Sequence, residues 1–225
     1  MSDERKLFSD MLKRNFKAAV FDMDGTLLDS MGVWEEVDNK FLGRRGIETP
    51  ADYMQALQSM HFEEAADYTI KRFGLKEKPE EIIAEWDSLA YEEFASGVCL
   101  KAGAREYLEY LKGSGVKILA ATSLLEKLCA AALRHNNVYE YFEAFAYTYE
   151  VKRGKSYPDI YLLAAEKGDV RADECIVFED TLTGVRGAKA AGMYVCAVFD
   201  GASGGDWDEI CSAADEFIYG FGELF

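Results

Sequence analysis

Two aspartates follow the first apolar segment of the chain, with one residue between them. Residues 18–21 are all apolar, as in a buried strand, and Asp22, Met23, Asp24 and Gly25 come directly after them. Because side chains alternate along an extended segment, Asp22 and Asp24 should lie on one side while Met23 points away, and Gly25 permits a sharp turn. Two close carboxylates favour a cation such as magnesium between them, or a proton on one of them. The pair could therefore combine a nucleophile with a general acid and base.

By itself, this segment also fits a strand that ends in an ordinary turn. Aspartate followed by glycine is a common turn pattern and needs no chemical role. A calcium-binding EF-hand loop is a second alternative, but it requires a later glycine and a preceding helix, and neither is present. The interpretation of Asp22 and Asp24 therefore depends on which residues the fold places beside them.

Three further sets of polar residues follow predicted strands. Thr122 and Ser123 could hold a phosphate oxygen, although an ordinary helix cap is an alternative. Lys155 could neutralise charge on a transferring phosphoryl group, or it could be a solvated surface lysine. Glu179 and Asp180 could complete a magnesium site, with helix capping as the simpler interpretation of Asp180. Four separate structural explanations for these positions are harder to sustain than one shared site.

The elements that would position these residues alternate between strand and helix. Short apolar runs predict strands at Lys17–Asp22, Val116–Ala121, Ala144–Tyr147, Glu174–Phe178 and Met193–Phe199. Helical patterns lie between them at Ala104–Lys112, Leu124–Asn136, Pro158–Lys167 and Thr181–Ala191. This alternation predicts an α/β fold, a doubly wound, Rossmann-like parallel sheet. Such sheets bind ligands at the carboxyl ends of their strands, where all four sets of polar residues are expected.

One segment interrupts this alternation. Residues 29–97 show helical periods and no convincing buried strand, which predicts an all-helical cap domain inserted into a core formed by residues 1–28 and 98–225. A helical insert placed after Asp22 and Asp24 is expected to form a lid over the sheet edge. Residues 1–14 are interpreted as a short amphipathic helix or an extension, and the stretch Gly201–Gly205 as a flexible loop.

Composition limits the possible partners. The chain has 225 residues, 49% of them hydrophobic, and a formal net charge of -16. This charge argues against nucleic acid or an anionic membrane as the main partner. The start of the sequence is charged and carries no signal-peptide pattern, and no apolar run reaches membrane-spanning length, so a cytoplasmic protein is expected, with a monomer as the default.

Taken together, the motifs resemble those of the haloacid dehalogenase superfamily of phosphotransferases, in the branch with a helical cap that includes β-phosphoglucomutases and many phosphatases. The matching segments are Phe21–Ser30, Ala121–Ser123, Lys155 before Pro158 and Asp159, and Phe178–Asp180 with Gly184 and Ala190–Gly192. The resemblance implies that Asp22 forms an aspartyl-phosphate and that Asp24 protonates the leaving oxygen and then activates water.

The same resemblance implies the roles of the other motif residues. Thr122, with Ser123 beside it, and Lys155 would bind the substrate phosphate. Asp22, the backbone carbonyl of Asp24, Glu179 and Asp180 would hold Mg²⁺. Dehalogenases of the superfamily lack the second aspartate, so Asp24 favours phosphate chemistry.

The resemblance leaves two enzyme functions open. Sugar mutases usually carry a histidine and an arginine in the cap, and Trp34 and Phe62 occupy those positions by ungapped counting. Without these polar groups, water should intercept the aspartyl-phosphate, so we expect a magnesium-dependent phosphatase of a small phosphorylated metabolite. A sugar phosphomutase is the alternative, and a non-catalytic module that binds phosphorylated ligands is a third, less favoured one. Trp34, His61 and Phe62 are the candidates for contacting substrate from the cap.

Overall fold

The strand that precedes Asp22 lies near the middle of a parallel sheet. The structure is a computed structural model, and it describes residues 16–57, 60 and 62–224. Its strands are β1 (Ala18–Phe21), β2 (Leu28–Asp29), β3 (Cys99–Leu100), β4 (Lys117–Thr122), β5 (Ala144–Tyr147), β6 (Cys175–Glu179), β7 (Tyr194–Val198) and β8 (Glu216–Ile218). Six of these described strands form one sheet in the order β5-β4-β1-β6-β7-β8, and all its neighbours are parallel. The prediction of a doubly wound α/β core is confirmed.

Helices connect the strands and form the inserted segment. The α-helices of the described residues are α1 (Val33–Gly43), α2 (Tyr53–Leu57), α3 (Phe62–Phe73), α4 (Pro79–Ser96), α5 (Ala104–Gly113), α6 (Glu126–His135), α7 (Asp159–Lys167), α8 (Leu182–Ala190) and α9 (Trp207–Ala213). Of the described residues, those up to Ser30 and those from Cys99 onward form one compact unit, here called the sheet unit. Met31–Val98 form a second, here called the helical unit.

Strand register aligns the ends of the three central strands. Phe21 pairs with Ala120 of β4 and with Phe178 of β6. The residues after Phe21 and Phe178 therefore reach the carboxyl edge at the same level, and Thr122 lies one residue beyond that level. The rings of Phe21 and Phe178 stack with centroids 4.8 Å apart, and both side chains are fully buried. These two rings form an apolar layer directly beneath the polar edge of the sheet. The acidic side chains begin one residue further along each strand.

Three features of the sheet unit differ from the sequence predictions. Strand β8 was not predicted, because three residues with a charged first position give no periodic signal. Strands β2 and β3 form a separate antiparallel pair, also too short to predict. The stretch predicted as a flexible loop forms a 3₁₀-helix over Gly201–Asp206, where Asp200 accepts a hydrogen bond from the Ala202 backbone N–H at 2.8 Å and pairs with Lys101 at 2.7 Å. The acid at its start therefore orders this glycine-rich stretch.

The helical unit has a core of its own. Helix α1 packs along α4, which in turn packs against α3. The fully buried Phe41 and the nearly buried Trp86 meet with ring centroids 5.5 Å apart. Arg45 lies 3.8 Å above the Phe41 ring and pairs with Glu85 at 2.7 Å, which links α1 to α4 at the surface. This unit therefore contains apolar packing that does not depend on the sheet.

Within the described residues, no helix combines the length and the apolar character that crossing a bilayer requires.

Candidate active site

A tight turn after β1 presents the two aspartates. Met23 is fully buried, and its carbonyl oxygen accepts the backbone N–H groups of Thr26, Leu27 and Leu28 at 3.3, 3.0 and 2.9 Å. Gly25 has a φ of 73°, a conformation that residues with a Cβ rarely adopt, so glycine suits this turn. The inward Met23 leaves the flanking acids at the polar edge, as the alternation of side chains predicts.

Asp24 is held by a hydroxyl group. The Ser30 side chain donates a hydrogen bond to Asp24 Oδ1 at 2.6 Å. Burial raises the pKa of Asp24 to about 6, and the charge of Asp22 adds to this effect, while the bond from Ser30 opposes it. A carboxyl with a pKa near neutrality can give and take a proton in one reaction cycle.

Lys155 bridges two acids of the site. Its ammonium contacts the Asp22 carboxylate and lies 2.6 Å from Glu179 Oε1. Burial alone would lower the pKa of Lys155, but the charges of Asp22 and Glu179 outweigh burial and raise it. The lysine therefore stays charged, and the interpretation of Lys155 as a solvated surface residue is wrong.

Glycine in α8 makes the lysine loop possible. A Cβ on Gly187 would lie 1.9 Å from the Lys155 carbonyl oxygen and 2.9 Å from that of Tyr157. Since no real Cβ approaches backbone so closely, only glycine lets the loop reach this position.

Glu179 is fully buried and its carboxylate is held on several sides. Besides Lys155, the hydroxyl of Tyr161 in α7 donates to Glu179 Oε1 at 2.7 Å. A Cβ on Gly184 would lie 2.2 Å from Glu179 Oε2, so glycine there makes room for the carboxylate. Burial, followed by the charge of Asp22, raises the pKa of Glu179.

Asp180 is the third acid of the cluster. It accepts a hydrogen bond from Thr26 Oγ1 at 2.9 Å and one from Ser203 Oγ at 3.3 Å. Burial, followed by the charge of Asp22, raises its pKa. Thr26 thus connects the turn after β1 to the end of β6.

The cluster has the chemistry of a hard-cation site. Asp22, Glu179 and Asp180 are buried, and one carboxylate oxygen from each lies within 4.8 Å of the others. Three such groups repel one another, and a divalent cation among them would relieve both the repulsion and the cost of burial. Carboxylate oxygen is the ligand that magnesium prefers, so the donors fit the predicted ion. The Asp24 side chain is not part of this cluster and bonds Ser30 instead, which leaves its backbone carbonyl as the predicted ligand.

The predicted phosphate-binding residues lie at the end of β4. Thr122 is fully buried, and its hydroxyl oxygen accepts the Leu124 backbone N–H at 3.0 Å. Its hydroxyl proton stays available to a phosphate oxygen. Ser123 is exposed, and α6 begins at Glu126, so Thr122 does not cap that helix.

The predicted cap residues fall in two groups. Trp34 and Phe62 lie in α1 and α3, where their rings meet edge to face with centroids 5.6 Å apart. His61 lies outside the described residues.

Three residues that support the site carry no chemical signal in the sequence: Tyr161 and Ser203, which bond acids of the cluster, and Gly187, which makes room for the Lys155 loop. Tyr161 occupies an apolar position of a helical pattern, and Gly187 and Ser203 lie in small-residue stretches, so none of them gave a chemical signal.

Comparison with known proteins identifies the family. The family of haloacid dehalogenase-like hydrolases matches residues 16–192, most of the chain. The chain therefore belongs to the haloacid dehalogenase-like hydrolases, and the predicted membership and the predicted enzyme class, a phosphoric monoester hydrolase, are confirmed.

The chain also matches individual relatives over most of the length of both proteins. A phosphorylated carbohydrates phosphatase of Thermotoga maritima is 28% identical over 79% of this chain and 82% of its own. Hexitol phosphatase A of Escherichia coli is 31% identical over 81% of this chain and 82% of its own. A solved Thermotoga maritima structure, provisionally assigned as a beta-phosphoglucomutase, has a TM-score of 0.81 at 26% identity and covers 92% of this chain and 96% of its own.

Proposed function

We propose that this protein is a magnesium-dependent phosphatase that hydrolyses a small phosphorylated metabolite through an aspartyl-phosphate formed on Asp22. The observation that carries the proposal is the ion pair between Asp22 and Lys155, next to Asp24, whose carboxyl accepts a hydrogen bond from the Ser30 hydroxyl. The names of the relatives, which include phosphatases of sugar phosphates and hexitol phosphates, support a small phosphorylated substrate.

The first half of the reaction uses both aspartates. A carboxylate oxygen of Asp22 attacks the substrate phosphorus, and the bond from phosphorus to the leaving oxygen breaks. Asp24 gives its proton to that oxygen, which suits a carboxyl group whose pKa is about 6. Lys155 would orient the Asp22 carboxylate and would offset charge on the phosphoryl oxygens.

The second half regenerates the enzyme. Water attacks the phosphorus of the aspartyl-phosphate, Asp24 takes a proton from that water, and the bond from phosphorus to the Asp22 oxygen breaks. Phosphate leaves and the Asp22 carboxylate is restored. Thr122 would donate its hydroxyl to a phosphate oxygen throughout. Magnesium, held by Asp22, Asp180 and the Asp24 carbonyl with Glu179 assisting, would supply a positive charge for the phosphoryl oxygens.

A sugar phosphomutase is the second candidate, because the provisionally assigned mutase has a closely similar fold. It differs from a phosphatase in what accepts the phosphoryl group from Asp22: a second sugar hydroxyl in place of water. Trp34, at the position where mutases usually carry a histidine, has an indole N–H that can donate but no group that could accept the proton of a sugar hydroxyl in that step. This favours water as the acceptor.

The test is a panel of phosphorylated metabolites that includes β-glucose 1-phosphate, assayed with and without magnesium. Free phosphate and glucose 6-phosphate are followed in the same reactions. Magnesium-dependent phosphate release without isomerised sugar is the expected result. Glucose 6-phosphate with little free phosphate would establish the mutase, and no turnover of any compound would leave the binding-module alternative.

A further inference from the structure

The helical unit has an apolar cavity of about 420 Å³ that is open to solvent on one side. Helices α1, α3 and α4 contribute to its wall, and all the described residues around it belong to this unit. Its larger lining side chains are those of Trp34, Met54, Met60, Phe62 and Trp86. Sites for small organic molecules typically have this size and this apolar lining, with a few polar groups that fix orientation.

One charged side chain lines this cavity. Asp38 is 7% exposed, and among the described residues its carboxylate has no ion pair and accepts no hydrogen bond. The nearby Tyr53 hydroxyl is bonded to Thr69 at 2.6 Å and not to Asp38. Burial raises the pKa of Asp38 to about 7, with no cationic neighbour to oppose it. An acid in such surroundings lacks the partner that buried carboxylates normally have.

The arginines of the helical unit do not fill this role. Arg44 and Arg45 pair with Glu85, and Arg72 pairs with Asp52. No described lysine or arginine forms an ion pair with Asp38, so a cation there would come from outside the described part of the chain.

The aromatic rings around the cavity add a second preference. The Phe62 ring lies 5.6 Å from that of Trp34 and 6.4 Å from that of Trp86, at interplanar angles of 65° and 58°. Tilted aromatic rings attract an organic cation through their faces, most strongly where water is excluded. Trp86 is 3% exposed, and its Nε1–H has no partner among the described residues.

We propose that this cavity binds a small organic ammonium ion, with its apolar body against Trp34, Phe62 and Trp86 and its ammonium group on Asp38. Neither the family match nor the relatives' names assign a ligand to this place. The ammonium group could belong to the organic part of the phosphorylated substrate or to a separate molecule, and both share the chemistry that Asp38 and the rings recognise.

Binding is measured by titration calorimetry of the full chain with 2-phenylethylamine, and with 2-phenylethanol as an uncharged probe of the same skeleton. Intrinsic fluorescence locates the event, because two of the three tryptophans line the cavity and the third, Trp207, can be removed as Trp207→Phe. We expect the amine to bind about tenfold or more tightly than the alcohol, with a change in the emission of Trp34 and Trp86.

Asp38→Asn should remove this preference, so that amine and alcohol bind with similar affinity. Asp67→Asn is the matched control, since it removes a charge from an exposed position of the same unit and should leave the preference intact. Ala65→Leu narrows the cavity without changing charge and should weaken both probes, which keeps the test valid if Asp38→Asn does not fold. Equal binding of both probes by the wild type, or undiminished amine preference in Asp38→Asn, would overturn the proposal.

A second arm identifies the source of the ammonium group. If it belongs to the substrate, 2-phenylethylamine should raise the KM for an aryl phosphate without changing kcat. If it belongs to a separate molecule, the amine should bind while KM stays constant. Either effect on KM is consistent with a binding site for the amine in this cavity. Because calorimetry needs no turnover, it measures binding in the cavity even if the protein is inactive. An inactive protein would therefore refute the proposed phosphatase and leave the binding result unaffected.

Discussion

Gly184→Ala tests whether the position of the Glu179 carboxylate matters for the reaction. A Cβ at position 184 would lie 2.2 Å from Glu179 Oε2, whereas real Cβ contacts stay at 3.0 Å or more. To restore the shortest real contact, the carboxylate would have to move by at least about 0.8 Å. It is fully buried and held by Lys155 and Tyr161 at 2.6 and 2.7 Å, so it has no free direction in which to swing.

This displacement predicts a loss of activity at nearly constant stability. A misplacement of about 1 Å in a catalytic site can cost about 10²-fold in rate, so we expect kcat/KM to fall by about 10- to 100-fold. The free energy of unfolding should change little, because alanine favours a helix over glycine by about 1 kcal/mol and offsets part of the strain.

The assay is steady-state hydrolysis of an aryl phosphate at saturating magnesium, with urea unfolding in parallel. Gly113→Ala is the matched control, because it lies at the exposed end of a helix in the same unit and a Cβ there would meet nothing within 4 Å. Wild-type activity in both Gly184→Ala and Gly113→Ala would show that the position of the Glu179 carboxylate does not matter for the reaction.

Three further predictions concern stability and the remaining contacts. Asp38 binds a proton up to a pH of about 7 in the folded state, against 3.8 in the unfolded chain, so its unfavourable contribution to stability grows as pH rises through this window. The stabilisation by Asp38→Asn, measured by urea unfolding, should therefore increase by about 2.5 kcal/mol between pH 5 and pH 8. A constant gain would contradict this. Tyr161→Phe removes the hydroxyl from buried Glu179 and should lower the free energy of unfolding by about 1–3 kcal/mol, whereas unchanged stability would show that the bond is unimportant. Chelation of magnesium should stop turnover and leave the circular dichroism spectrum unchanged, because the acidic cluster lies at the polar edge of the sheet; unfolding on chelation would instead indicate a structural ion.

The central sheet could be predicted because its strands are buried on both faces. Such strands appear in the sequence as short apolar runs, and β1, β4 and β6 end within one or two residues of their predicted limits. The grouping of the acids and the hydroxyl at the ends of these strands could be predicted as well, since parallel strands bring their carboxyl ends to one edge of the sheet. Strand β8 escaped prediction because it has three residues and lies at the edge of the sheet.

The supporting contacts of the site could not be read from the sequence. Tyr161 reaches Glu179 from a helix whose pattern marks it only as a core position. Gly187 matters because of a backbone 32 residues earlier, a contact that has no local signature. Ser203 reaches Asp180 because Asp200 orders the stretch that contains it, where composition alone favours a flexible loop. In each case a distant partner decides the role of the residue.

The most direct test of the proposed function compares phosphate release by the wild type and by Asp22→Asn, each with magnesium and with a chelator. An amide at this position keeps the size of the side chain and removes the nucleophile, while Asp24, Lys155 and Thr122 stay in place. The proposal predicts magnesium-dependent release by the wild type and a loss of at least about 10³-fold in the variant, the scale that removal of a nucleophile typically produces. Release by Asp22→Asn at the wild-type rate would contradict the assignment of Asp22 as the residue that carries the phosphoryl group.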